Sequence, residues 1–233
     1  MKIRTLAVTL AGLAIAGGAF AGTLSGTAVF EGKAPSLKPI QMGADPTCAK
    51  MHSTPVTPEL LVLGDGQTMA NVFVQVKSPP ESKAAASSSP VVIDQKGCMY
   101  APHVVGVRVG QPLQFRNSDG ILHNVHGLPK ANREFNLGMP ATLVEKDTTF
   151  NKPEPFFPVK CDVHPWMQAY VAVMTHPYFD VTAKDGKFQI ADLPDGTYTL
   201  EAWHEKLGTQ TQQVTVSGGK AAPVTFTFAV PKG

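Results

Sequence analysis

The octapeptide Lys160-Cys161-Asp162-Val163-His164-Pro165-Trp166-Met167 decides how the chain is read. It sets Cys161, His164 and Met167 in a C-x2-H-x2-M spacing between two apolar runs, PFFPV (155–159) and QAYVAVM (168–174). Such runs, rich in β-branched and aromatic residues and bounded by turn formers, suit strands. A loop fixed between two strands can hold all three donors on one side. Thiolate, imidazole and thioether together are a soft set that suits copper cycling between two oxidation states. A fourth donor must come from elsewhere.

Upstream, FRNSDGILHNV (115–125) ends a strand, turns at Asp119-Gly120 and begins a new segment at His123. The two motifs together, N-x-D…H-N-V followed by the Cys-His-Met loop, resemble the cupredoxin family of blue copper proteins. The loop spacing is most like that of its amicyanin and pseudoazurin branches. The resemblance covers residues 91–174. It implies one type 1 copper ion with His123, Cys161 and His164 as the strong equatorial ligands and Met167 as the long axial one. It also implies that Asn124 ties the two ligand loops together by hydrogen bonding, orienting the thiolate without binding metal.

Further along, TAKDGKFQIADLPDGTYTLEAW (182–203) contains L-P-x-G-x-Y-x-L and resembles the carboxypeptidase regulatory-like, transthyretin-like β-sandwich family. GTLSGTAVFEGK (22–33) followed by ANVFVQV (70–76) looks like the first two strands of that family. The fold class expected is therefore all-β: a cupredoxin Greek-key β-sandwich plus a second, carboxypeptidase regulatory-like β-sandwich. Residues 22–77 and 176–233 would form the discontinuous second sandwich, and 78–90, rich in Ser, Ala and Pro, a linker. Residues 91–175 would be the copper domain, inserted between the other's strands; two sequential domains fit nearly as well. Asp185-Gly186 and Asp195-Gly196 read as tight hairpin turns.

The N-terminus has Lys2 and Arg4, an apolar run from Leu6 to Phe20, and Ala19-Phe20-Ala21, the pattern of a secretory signal peptide over residues 1–21. The run is shorter than the roughly 20 residues a bilayer span needs. A periplasmic protein without a membrane span in its mature form is expected. Removing Lys2 and Arg4 takes the formal charge from +2 to 0, so nothing argues for nucleic acid or an anionic membrane as partner.

Of the three cysteines, Cys161 stands beside two other donors, so Cys48 and Cys98 are the economical disulfide in an oxidising compartment. Pairing of Cys161 with one of them stays open, because sequence does not fix connectivity. His126 would face away from His123 in an extended segment. His103, His176 and His204 are scattered and read as solvent-facing or hydrogen-bonded. The remaining methionines read as core filling.

No nucleophile–base set, zinc-protease motif or phosphate loop is present, and four protein donors would close the metal site, so an enzyme is not expected. The expected function is a one-electron carrier. A redox partner would touch an apolar patch at the edge of His164, with Pro165, Trp166, Met139 and Pro140. The rival readings are copper storage or delivery, and an envelope module stabilised by its metal.

Overall fold

The computed structural model describes residues 21–82 and 84–230. The expected signal segment lies outside them, except for Ala21. What is described is nearly all-β, with only the short helices Met42–Ala44, Pro46–Lys50 and Asp65–Gln67 between strands. None of these is long and apolar enough to cross a membrane.

Both ends of the described chain enter one sandwich. The strand Ala21–Glu31 alternates strictly from Gly22 to Phe30, placing Leu24, Ala28 and Phe30 inward, the period of a half-buried strand. It runs antiparallel to Lys187–Pro194, with Leu24 opposite Ile190, and parallel to Val224–Ala229, with Ala28 opposite Phe226. The opposing layer has Phe179–Val181, Phe73–Val76, Gly196–His204 and Gly208–Ser217 in that order. The short strand Lys220–Ala221 joins the layers, pairing with Gly208–Ser217 on one side and with Thr23 on the other. Leu24, Phe30, Val74, Phe188, Ile190, Leu200, Phe226 and Phe228 fill the space between.

The middle of the chain builds a second core. One five-stranded sheet runs Val104–Arg108, Gln168–Met174, Glu154–Lys160, His123–Gly127, Phe135–Met139. A four-stranded sheet runs Tyr100–Ala101, Val91–Gln95, Leu113–Asn117, Glu145–Thr148. Ile93, Leu113, Phe115, Val125, Phe157, Val159 and Val171 close the space between them. A third, smaller cluster forms where the two sandwiches touch. Phe73 stacks on Phe179 at 5.4 Å between centroids, and Phe156 stacks on Trp203 at 3.6 Å.

Two sequence expectations change. Asp185-Gly186 and Asp195-Gly196 are not hairpin turns, because the strands they join do not pair. Each carries the chain between layers instead: Gly186 adopts φ +71°, and a Cβ there would sit 2.5 Å from the Ala28 carbonyl oxygen. The tight hairpin of this region lies further on, at 205–207, where His204 faces Gly208. Second, the connection after Glu31 does not stay with the first sandwich. Met42 and Cys48 are buried in the same core as Cys161 and Met167, with Ile40 and Val56 packed against it.

Candidate metal centre

Three elements bring the donors together at one end of the second sandwich. His123 is the first residue of its strand, just after the 118–122 turn. Cys161 follows the end of Glu154–Lys160, whose Lys160 lies opposite His126 in the neighbouring strand. The chain then loops to Met167 and returns through Gln168–Met174. The loop closes on itself: the Met167 N–H donates to the His164 carbonyl at 2.9 Å, and the Cys161 N–H to the Met167 carbonyl at 3.3 Å.

The resulting geometry is compact. His123 Nδ1 and His164 Nδ1 are 2.9 Å apart, and Cys161 Sγ is 3.8 Å from His164 Nδ1. All three donors lie within 4.8 Å of one another. Donors bound at about 2.0 Å (N) and 2.3 Å (S) to one ion, as they are to zinc, sit roughly 3–4 Å apart, so this set fits a single first-row metal. Its thiolate and imidazoles suit copper. Two other donor groupings, Cys48–Cys98–His164 and Cys98–Asp119–His123, contain sulfurs committed to the disulfide. Among the described residues grouped this way, only His123, Cys161 and His164 keep every donor available. Met167 is fully buried in the same core as Cys161.

The surroundings orient the donors. Cys48 and Cys98 form the disulfide, and Cys161 is free and buried. The Asn124 side-chain oxygen accepts from the Asp162 N–H at 2.6 Å and the Val163 N–H at 3.3 Å, joining the two ligand segments. Its amide donates to Asn136 Oδ1 at 2.8 Å and Asp162 Oδ2 at 3.0 Å. The Tyr100 hydroxyl reaches the Asn124 and Lys160 carbonyls, bracing the same junction. Burial pushes the Cys161 thiol up, but His123 and the backbone N–H groups of Asn124, His164 and Val163 outweigh it and bring the thiol below its usual range. Burial also works against charge on His123; the adjoining Asp119 and Cys161 overcome it and raise the imidazole to about 9.

Sequence reasoning missed two carboxylates. Asp119 Oδ2 lies 2.9 Å from His123 Nε2, and Asp45 Oδ2 lies 3.1 Å from His164 Nε2. Asp119 stands inside the quoted N-x-D motif and could have been singled out; nothing near Asp45 signals a role. The edge of His164 expected to meet a partner is therefore covered. His164 is 2% exposed and Met139 fully buried, while Pro165 and Pro140 are exposed and Trp166 is half-buried, its indole N–H on the Cys98 carbonyl at 3.0 Å. His126 points away from the donors, to Asp162 and Glu134. Of the two expected roles, His103, His176 and His204 take the hydrogen-bonded one: all are buried, His103 pairs with Glu205 at 2.5 Å, and His176 and His204 accept from backbone N–H groups.

Residues 165–229 match the family model of the carboxypeptidase regulatory-like domain. No curated protein matches the chain. Among solved structures it is similar to the Cu-containing nitrite reductase (NirK) from Thermus scotoductus SA-01, at 23% identity over 42% of this chain and 25% of that one, with a TM-score of 0.33. The chain thus spans a quarter of the nitrite reductase's length. It is also similar to a Cu(I) mutant of amicyanin, at 23% identity over 43% of this chain and 98% of that one, TM-score 0.33. An oxidised amicyanin mutant gives 22% identity over 43% and 98%, TM-score 0.34.

Proposed function

We propose that this chain is a periplasmic type 1 copper protein that carries one electron at a time, with the copper-bearing sandwich inserted in the other. The observation that carries this reading is the convergence of His123 Nδ1, His164 Nδ1 and Cys161 Sγ in a buried cluster. Bound copper would supply the exchange of a single electron between its two common oxidation states. The chain's own residues hold the donors in one arrangement. The Asn124 oxygen ties Asp162 and Val163 to the His123 strand, and the His164 N–H donates to Cys161 Sγ at 3.3 Å. A preset donor set leaves little to rearrange when the charge changes.

Burial supports a carrier over an enzyme. The four side chains are 0–2% exposed, so no substrate-sized face of the site is open. A redox partner would approach over Pro165 and the half-buried Trp166, whose ring centroid lies 5.2 Å from that of His164.

The test is optical. Copper-loaded protein should be intensely blue or green, bleach with ascorbate and recover with ferricyanide, and Cys161→Ser should abolish the colour. Colour that survives Cys161→Ser would overturn the assignment. Rapid copper loss to a chelator, without electron exchange, would favour delivery.

A further inference from the structure

The outer edges of both site imidazoles are closed by carboxylates, and these come from different parts of the chain. Asp119 belongs to the turn just before His123, and it also accepts from the Gly97 and Cys98 N–H groups at 2.6 and 2.8 Å. Asp45 comes from 119 residues away. It is the N-cap of Pro46–Lys50: its Oδ1 accepts from the Thr47 N–H at 2.8 Å and the Cys48 N–H at 3.4 Å, leaving Oδ2 for His164 Nε2. Two residues into that helix, Cys48 is bonded to Cys98, whose carbonyl holds Trp166. The segment is thus fastened at the disulfide and seated in the core through Met42 and Cys48. Its one polar contact with a candidate ligand is Asp45.

We propose that Asp45 is a positioning residue for His164. It accepts the Nε2 proton, fixing the ring tautomer that leaves the Nδ1 lone pair facing His123 and Cys161, and its negative charge favours the higher charge state of a metal held there. The proposal rests on the copper reading for its second half only. A carboxylate on the outer nitrogen of a ligand imidazole sets the tautomer and raises the basicity of the inner nitrogen. Losing such a partner typically costs about 10–100-fold in metal affinity. Asp45's side chain is 32% exposed, so water screens part of the charge but not the hydrogen bond.

The test compares the full-length chain with Asp45→Asn and Asp45→Ser. Both substitutes are good helix caps, so the short helix keeps its acceptor while the carboxylate is lost. In metal-free protein, nitrogen NMR of the His164 ring should show the Nε2–H tautomer in the parent and a mixture of tautomers in both variants. In copper-loaded protein the visible band should persist, and the midpoint potential should rise by about 59 mV for each tenfold loss of preference for Cu(II) over Cu(I). An unchanged tautomer with an unchanged potential would overturn the proposal. A parent protein that never develops the band would sink the copper reading instead, and the metal-free measurement would still decide the role of Asp45.

Discussion

Asn124 uses both ends of its side chain on the junction between the ligand segments, accepting from two backbone N–H groups and donating to Asn136 and Asp162. Asn124→Ala would strand the Asp162 and Val163 donors, and we expect a loss of about 1–3 kcal/mol in denaturant unfolding. Copper affinity, followed by chelator competition, should fall about 10–100-fold. His204 makes a different claim. It is 1% exposed, and its Nδ1 accepts from the Lys206 and Leu207 N–H groups at 3.3 Å each, which requires an unprotonated nitrogen. Burial lowers its pKa from 6.5 to about 4. Between those values the unfolded chain binds a proton that the folded chain refuses, so this stability is complete above about 6.5 and is lost as the pH falls towards 4. His204→Gln should flatten that part of the stability–pH curve, measured by thermal melts at successive pH values. At this scale the clustering of His123, Cys161 and His164 was legible because the octapeptide carries Cys161 and His164 together and the H-N-V motif marks His123. Asp45 was not, because its contact is set by tertiary packing across 119 residues and leaves no local pattern.

The elements show a similar split. The strands whose faces alternate, such as Ala21–Glu31 and Lys187–Pro194, could be read from their period. Phe135–Met139 alternates too, with Asn136 and Gly138 on its exposed face, but His123–Gly127 does not: four of its five positions are buried, and its backbone is held by pairing with Phe135–Met139. The Asp-Gly dipeptides misled for a related reason. They specify that the chain turns, but whether it returns to its own neighbour or crosses to the opposite layer depends on which strands pair. The segment with Pro46–Lys50 is the element that most affects the site. Its disulfide spans 50 residues, and Cys48→Ala with Cys98→Ala should cost about 2–4 kcal/mol in chemical denaturation. Because the segment bearing Asp45 would then keep only its core packing and hydrogen bonds such as that of His52 Nε2 with the Gly97 carbonyl at 2.7 Å, the midpoint potential of the loaded double variant should move in the same direction as that of Asp45→Asn.

At the scale of the whole molecule, the two sandwiches meet through aromatic packing, with Phe156 stacked on Trp203 and Phe73 flanked by Phe156 and Phe179. Gly106 makes room for this contact, since a Cβ there would lie 2.3 Å from the Phe179 ring. Trp203→Ala should remove at least about 1 kcal/mol of coupling between the two cores. Calorimetry should then resolve two melting transitions where the parent shows fewer or more closely merged ones. That the chain contains two β-sandwich patterns was readable from TAKDGKFQIADLPDGTYTLEAW and the octapeptide. Where the sandwiches touch was not, because Phe73, Phe156 and Trp203 each lie in a run that reads equally well as the core of its own sheet.

The strand Ala21–Glu31 lies between Lys187–Pro194 and Val224–Ala229. Both partners follow it in the chain, beyond the whole of the second sandwich, so during synthesis it is made well before either of them. Residues 91–174 have all their strand partners among themselves and can close beforehand. The earlier strand must meanwhile wait with these two edges unpaired, an aggregation hazard that lasts until Val224–Ala229 is made.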